Sequence, residues 1–314
     1  MRILVTGGAG FIGSHVADAF VDAGHEVTVL DNLSSGKRQQ VNPGARFVKL
    51  DIRDPRLERV FKAGRFDVVN HHAAQMDVRR SVEDPRFDAD VNVHGLLHVL
   101  ELSRRHGVRR VIFAASGGTY YGECARPARE TDPPRPLSPY GVAKLAGEHY
   151  LRAYEALHGI AFTVLRYGNV YGPRQDPHGE AGVVAIFCNR LLAGEQIVIF
   201  GNGRQKRDYV FVGDVARANL AALRRGKNDA VNIGTGKSST VSELFEILQR
   251  IHGIGERVFK PARPGELFRS CLDVRHARAS LGWSSRIQLA EGLRQTCQFI
   301  ASGVARHGRR TTRP

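Results

Sequence analysis

The stretch Ile3-Leu4-Val5-Thr6-Gly7-Gly8-Ala9-Gly10-Phe11-Ile12-Gly13 decides the reading of this chain. Its first four residues are apolar or β-branched and predict a buried strand. From Phe11 onward the apolar spacing is helical. Between the two, Gly7, Gly10 and Gly13 stand in the spacing GxxGxxG. Glycines let a backbone turn tightly and approach a pyrophosphate with no Cβ in the way. The free N–H groups at a helix start then hold the anion. A glycine pattern alone is weak evidence, but set between strand and helix it predicts a dinucleotide site formed by Gly7, Gly10, Phe11, Ile12 and Gly13.

Outward from this turn the first half alternates between two patterns. Short Val- and Ile-rich runs at 2–6, 26–31, 46–50, 66–71, 109–115 and 161–166 predict strands, and 11–23, 56–63, 91–106 and 140–158 have helical spacing. The strands carry little polar alternation, as expected when both faces are buried. The fold class predicted is α/β, a Rossmann-type doubly wound parallel sheet. After Gly168, Gly- and Pro-rich loops interrupt shorter elements and predict a smaller mixed lobe. The expected division is a dinucleotide-binding domain over 1–168, with return segments near 208–235, and a mainly substrate-binding lobe over 169–314. The second strand ends at Asp31-Asn32, about 20 residues past the glycines, where a carboxylate accepts from ribose hydroxyls and repels a 2′-phosphate. NAD is therefore favoured over NADP, although Lys37 and Arg38 follow closely. Asp51 and Ile52, ending the third strand, are candidates for framing the adenine.

The composition is that of an ordinary globular protein: 314 residues, 42% hydrophobic and 25% charged. No apolar run approaches membrane-spanning length, and no secretory signal precedes the first strand. Cys124, Cys188, Cys271 and Cys297 stand far apart without a CxxC pair, which argues against a zinc site or a disulfide framework and fits a reducing cytoplasm. No metal is expected. The net charge of +15 is spread along the chain, with only 306–313 a concentrated basic run, and reads as a preference for anionic ligands ahead of nucleic acid.

Ser138-Pro139-Tyr140-Gly141-Val142-Ala143-Lys144 contains YxxxK, which on a helix puts the phenol and the ammonium on one face, one turn apart. The ammonium favours the phenolate, the positive nicotinamide ring of NAD adds to this, and both are expected to lower the tyrosine pKa from about 10 towards working pH. Proton transfer is efficient there. His71, at a strand end, reads as a core histidine.

With these motifs the chain resembles the extended short-chain dehydrogenase/reductase family, in its nucleotide-sugar epimerase/dehydratase branch. The matching pieces run in order over nearly the whole chain: the glycine turn, Asp31-Asn32-Leu33, His71-His72-Ala73-Ala74-Gln75, Asn92-Val93-His94-Gly95, residues 116–122, Tyr140–Lys144, Arg166-Tyr167-Gly168-Asn169-Val170-Tyr171-Gly172-Pro173, Gly201-Asn202-Gly203, Arg207-Asp208-Tyr209-Val210 and Arg263-Pro264-Gly265-Glu266. The resemblance implies that Tyr140 is the acid/base and that Lys144 holds the nicotinamide ribose. It places Ala73, Ala74, Gln75, Asn92 and Tyr167 on the cofactor. Asn169, Val184, Arg207, Arg263 and Glu266 fall on the substrate, the two arginines as diphosphate or uridine contacts. It also implies a homodimer built on 91–106 and 140–158. The family places a Ser or Thr near Tyr121-Gly122 to share the proton of the sugar O4, but that position falls on Gly117 here. Ser116 is the expected substitute and Thr119 the reserve.

Among the branch's reactions, dehydration and decarboxylation need a further acid where this chain has Gly118 and Thr119. The expectation is thus 4-epimerisation by transient oxidation at C4. Residues 176–187 resemble members acting on UDP-glucose, so a UDP-glucose/UDP-galactose pair is expected. N-acetylhexosamines are also expected, because Ser270 stands where some members carry a tyrosine. The alternatives are a nucleotide-sugar reductase or dehydratase, or a non-enzymatic NAD-binding or RNA-associated regulator.

Overall fold

The computed structural model describes residues 1–177, 182–253, 255–262 and 267–308. Strands β1 (Arg2–Thr6), β2 (Glu26–Asp31) and β3 (Arg46–Lys49) alternate with helices α1 (Phe11–Asp22) and α2 (Leu57–Gly64). They are followed by β4 (Val68–His71), α3 (Val78–Glu83), α4 (Pro85–Ala89), α5 (Gly95–Arg105), β5 (Arg110–Ser116), α6 (Gly117–Tyr120), α7 (Pro139–His158) and β6 (Ala161–Tyr167). The remainder carries β7 (Asn169–Tyr171), α8 (Val183–Leu192), β8 (Ile197–Phe200), β9 (Lys206–Arg207), β10 (Tyr209–Phe211), α9 (Val212–Ala222) and β11 (Asp229–Ile233). The last elements are β12 (Ser239–Thr240), α10 (Val241–His252), β13 (Arg257–Lys260), β14 (Arg269–Ser270), α11 (Arg275–Leu281) and α12 (Leu289–Gly308).

The central sheet has seven parallel strands in the order β11-β6-β5-β4-β1-β2-β3. The order reverses between β1 and β4, the place in a doubly wound sheet where the strand ends open into a crevice. Ile3, Leu4 and Val5 are fully buried, so β1 is covered on both faces. One face packs Val16 and Phe20 of α1 against Val215 and Ala218 of α9. The other packs Leu57 and Phe61 of α2 against Leu96 and Leu100 of α5 and Leu151 of α7. As expected, a segment within 208–235 returns to this sheet: β11 pairs with β6 at its edge. A third core joins Phe187 and Leu191 of α8, Ile197 of β8, Leu244 and Leu248 of α10, and Leu293 of α12.

The helix expected over 91–106 is interrupted. Residues Asp90–His94 form a π turn before α5 begins at Gly95. Such turns insert a residue into the helical ladder and tend to occur at functional sites. Among the described residues no helix is long and apolar enough to cross a membrane.

The cysteine expectation does not hold. Cys188 of α8 and Cys297 of α12 form a disulfide across 109 residues of sequence, with Cα atoms 5.4 Å apart. Their distance along the chain concealed it, because only the packing of α8 on α12 brings the two sulfurs together. Closing so long a loop restricts the unfolded chain, so reduction, or Cys297→Ser, is expected to lower the unfolding free energy by about 2–4 kcal/mol. Urea melts with and without dithiothreitol check this. Coincident midpoints would contradict it.

Candidate active site

The glycine turn is tight for steric reasons that the coordinates make explicit. Gly7 has φ +69°, and a Cβ there would lie 2.6 Å from the Ala73 backbone nitrogen, so the exit of β4 presses directly on it. At Gly13 a Cβ would sit 2.2 Å from the Gly7 carbonyl oxygen, where helix and turn cross. No side chain caps α1 and its first turn holds no acid. Its amide groups are thus available to an anion, as a pyrophosphate needs.

Asp31 ends β2 with its carboxylate accepting from the amides of Ala9 (3.0 Å) and Leu33 (2.8 Å). Burial pushes its carboxyl up, and those two amides oppose the shift. The residue therefore braces the glycine turn as well as ending the strand. Asn32 donates to Asp51 (2.8 Å), and Arg53 makes a fork onto the same carboxylate at 2.9 Å on each arm, holding its pKa well below the usual range. Ile52 is buried. The two cations that left NADP open are engaged elsewhere: Lys37 pairs with Asp176 (3.0 Å), and the Arg38 guanidinium lies 4.6 Å from the centre of the Phe47 ring.

Across the crevice, the Ala73 amide donates to Thr6 Oγ1 (3.3 Å), and Gln75 and Asn92 exchange two hydrogen bonds of 2.9 Å between backbone and carboxamide. Tyr167 is 5% exposed in the core shared with α9, with its hydroxyl taken by Asn219 (2.8 Å) and His72 (3.1 Å). His71 bonds Thr6 Oγ1 (2.9 Å), stacks on Phe113 and is pushed down to about 3 by burial and Lys144, which fits the core role expected for it.

Tyr140 and Lys144 share one face of α7, which Ser138 caps through the Gly141 amide (3.2 Å). The ammonium is buried, lies 5.7 Å from the Tyr140 ring centre and 4.8 Å from that of Phe113, and donates to the Ala114 carbonyl (3.0 Å). An ammonium has three donors, and among the described residues this carbonyl takes one. The expected lowering of the phenol is not what the protein alone produces. Burial and then the charge of Asp88 push Tyr140 well above its ordinary value, while burial brings Lys144 down to about 8 against the opposing pull of Asp88. Desolvation and the Asp88 charge set the direction here, which leaves the positive charge of a bound nicotinamide as the balancing contribution.

Gly117 sits closely packed: a Cβ there would lie 2.8 Å from the end of the Leu272 side chain and 3.2 Å from the Tyr167 carbonyl. Above Gly118 the space is open, bordered by Asn169 Oδ1 and Ser116 Oγ, 3.8 and 3.9 Å from where a Cβ would be. Thr119 Oγ1 is buried without a partner among the described residues, and the Thr119 carbonyl abuts Gly141 on the first turn of α7. Of the two candidate hydroxyls, Ser116 is the one that borders the open space above Gly118.

Behind this loop lies a buried network that the sequence reading missed. Arg166 forks onto Glu148 of α7 (2.9 and 2.6 Å) and donates to the hydroxyls of Tyr121 and Tyr120 (both 2.8 Å). The adjacent Tyr120-Tyr121 pair was the available signal. A cavity of about 480 Å³ adjoins the crevice, lined by Asn169 and Arg207 together with Arg79, Arg190, Gln205 and Lys260, which were not foreseen. Val184 is not on it. That side chain is 1% exposed in the third core, and Val183, Ile186 and Phe187 face the cavity instead. The helical register explains the one-residue miss. Arg263 and Glu266 lie outside the described residues.

The NAD dependent epimerase/dehydratase family matches residues 3–234. A UDP-glucose 4-epimerase of Mycolicibacterium smegmatis is 46% identical over 308 residues, covering 96% of this chain and 98% of that protein. The crystal structure of UDP-glucose 4-epimerase with UDP-glucose from Thermotoga maritima superposes with a TM-score of 0.95 at 49% identity, covering 97% of this chain and 100% of that one. The Thermus thermophilus UDP-glucose 4-epimerase in complex with NAD gives a TM-score of 0.91 at 46% identity, covering 95% and 98%. With its glycine turn, its Tyr140–Lys144 pair on one face of α7 and its seven-stranded parallel sheet, this chain belongs to the NAD dependent epimerase/dehydratase family of extended short-chain dehydrogenases/reductases.

Proposed function

We propose that the protein is an NAD-dependent UDP-sugar 4-epimerase that interconverts UDP-glucose and UDP-galactose. The observation carrying this is the Tyr140–Lys144 pair on one face of α7, its ammonium buried, in a chain that also has a dinucleotide turn and a cavity lined by Asn169 and Arg207. Gly7, Gly10, Phe11, Ile12 and Gly13 hold the pyrophosphate, Asp31 and Asn32 the ribose, Asp51 and Ile52 the adenine side. Ala73, Ala74, Gln75, Asn92, Tyr167 and Lys144 hold the nicotinamide half. Once bound, NAD supplies reversible hydride acceptance at the sugar C4. Tyr140 takes and returns the proton of the 4-hydroxyl, Lys144 keeps the phenol oriented and stabilises its ionised form, and Ser116 hydrogen-bonds O4, with Thr119 as its neighbour. Asn169 and Arg207 orient the diphosphate against rotation of the hexose, with Arg263 and Glu266 proposed beside them. No acid stands at Gly118 or Thr119, so proton removal from other sugar carbons has no agent there. Incubation with UDP-galactose followed by NMR is expected to show UDP-glucose without added reductant. An unchanged spectrum would overturn the reading.

N-acetylhexosamine pairs are proposed as further substrates. Ser270 is opposite Arg207 in the β14–β9 register, and its small side chain leaves room for an acetamido group. UDP-N-acetylglucosamine is expected to turn over, and Ser270→Tyr to suppress that turnover at least tenfold while sparing UDP-glucose. Equal loss of both activities would contradict this.

We also propose a cytoplasmic homodimer with the domain division at residue 168 given above. Along α7, Val142, Tyr150 and Leu157 are exposed at 53, 38 and 74%, an apolar stripe at helical spacing. Beside it, Tyr154 ties α7 to Glu101 of α5 (2.6 Å). The occupant that matches this stripe is the same stripe of a second copy. Sedimentation of the wild type should give a dimer, and Leu157→Glu should give monomers. A monomeric wild type would refute it.

A further inference from the structure

One buried carboxylate near the reacting pair has no part in the chemistry above. Asp88 of α4 is 1% exposed. Its Oδ1 accepts from Gln75 Nε2 and from Asn92 Nδ2, each at 2.9 Å. Gln75 and Asn92 are themselves locked together through backbone and carboxamide. Asp88 and Asn92 are four residues apart, and the π turn at Asp90–His94 lies between α4 and α5. Both donors to Asp88 are neutral amides, and a buried carboxylate needs a compensating charge as well as hydrogen bonds.

The surroundings point to a single candidate for that charge. Asp90 and Arg53 pair with each other at 2.5 Å. The Arg80 guanidinium lies over the Phe87 ring at 4.2 Å, and Asp77 caps α3 through the amides of Arg79 and Arg80. His94 lies 3.5 Å from Asp90. His71 and His72, which face Lys144 from the end of β4, are both pushed down to about 3 by burial and Lys144 and so carry no charge near neutrality. What remains is the ammonium of Lys144, on α7, which packs against α4; burial pushes the Asp88 carboxyl up, and Gln75, Asn92 and Lys144 oppose that shift. Among the described residues Asp88 is also the acid whose charge acts on both Lys144 and Tyr140.

We infer that Asp88 is a positioning residue of the active site: its carboxylate fastens the Gln75–Asn92 segment on the cofactor side and stands as the fixed negative charge opposite Lys144. In this role it keeps Lys144 protonated despite burial and holds back ionisation of Tyr140 until ligands are in place. The inference rests on Tyr140 and Lys144 being the reacting pair. It adds a residue that touches neither substrate nor the reacting atoms, yet sets the pH range over which the pair works.

The sign of the effect separates this role from a merely structural one. The carboxylate raises both Lys144 and Tyr140, so removing its charge lowers both. In Asp88→Asn, the acid limb of the kcat–pH profile, which follows ionisation of Tyr140, and the basic limb, which follows loss of the Lys144 proton, should both move to lower pH. The shift expected is on the order of one unit, seen as a roughly tenfold loss relative to wild type on the basic limb. Asp88→Ser, which buries no amide, is the second variant, and circular dichroism and NAD content establish that each variant is folded and loaded. A fall in kcat at every pH with unmoved midpoints in the folded variants overturns the inference, as does failure of both variants to fold, which would make Asp88 a structural residue. If wild-type protein does not epimerise UDP-glucose, the proposed function fails first. If it does and the midpoints stay, only the role of Asp88 fails.

Discussion

Tyr140→Phe should lower kcat for UDP-galactose turnover by roughly 10²–10⁴-fold, the usual contribution of a positioned general acid–base, with KM changed little. The ring keeps its place on the first turn of α7, so the variant should retain its fold and its bound NAD. What it loses is the atom that carries the proton of the 4-hydroxyl. Burial pushes the Tyr140 phenol upward, so at neutral pH it rests protonated in the free protein and ionises only when positive charge is brought near. Substrate oxidation should therefore be strongly pH-dependent in the wild type and nearly flat in Tyr140→Phe. Steady-state kinetics from pH 6 to 9 check this. A variant retaining about half the wild-type kcat would remove Tyr140 from the chemistry.

Arg166→Leu should cost about 3–5 kcal/mol of folding stability, because it strands Glu148 as an unpaired buried charge. Both side chains of the pair are 3% exposed. The same guanidinium fixes the hydroxyls of Tyr120 and Tyr121, and Tyr121 in turn donates to Asn232 of β11 (2.8 Å). One buried cation thus links α7, the loop after β5 and the edge of the central sheet. Loss of activity should accompany loss of stability, since Ser116 and Thr119 border that loop. The double variant Arg166→Leu with Glu148→Leu should recover much of the stability, because the desolvation cost of both charges goes with them. Urea denaturation of the three proteins is the measurement. A double variant as unstable as the single one would show that the pair contributes through its attraction rather than by mutual compensation.

The parts legible in the sequence were those that local pattern dictates. The glycine turn, six strands and the YxxxK helix each announce themselves within about twenty residues, and a doubly wound sheet follows from their alternation. The parts that were not legible depend on residues distant in sequence. Cys188 and Cys297 meet only because α8 packs on α12, and Arg79 and Lys260 reach one cavity from segments 181 residues apart by number. The π turn at Asp90–His94 hides inside a run whose apolar spacing reads as one continuous helix. The upward direction of the Tyr140 shift in the protein alone was not legible for an energetic reason: a lysine four residues on is visible in the sequence, whereas desolvation and the nearby charge of Asp88 exist only in the folded chain. Val184 was assigned to the wrong face of α8 by one residue, an angular error of about 100° on a helix.

The central claim is that the protein takes a proton from the 4-hydroxyl and a hydride from C4 of one sugar, and returns the proton to O4 and the hydride to C4. UDP-glucose carrying deuterium at C4 tests it most directly. The account predicts UDP-galactose with the deuterium still at C4, no exchange into solvent, and no net consumption of dinucleotide. Deuterium lost to water, or product formed only with stoichiometric reduced cofactor, would contradict it.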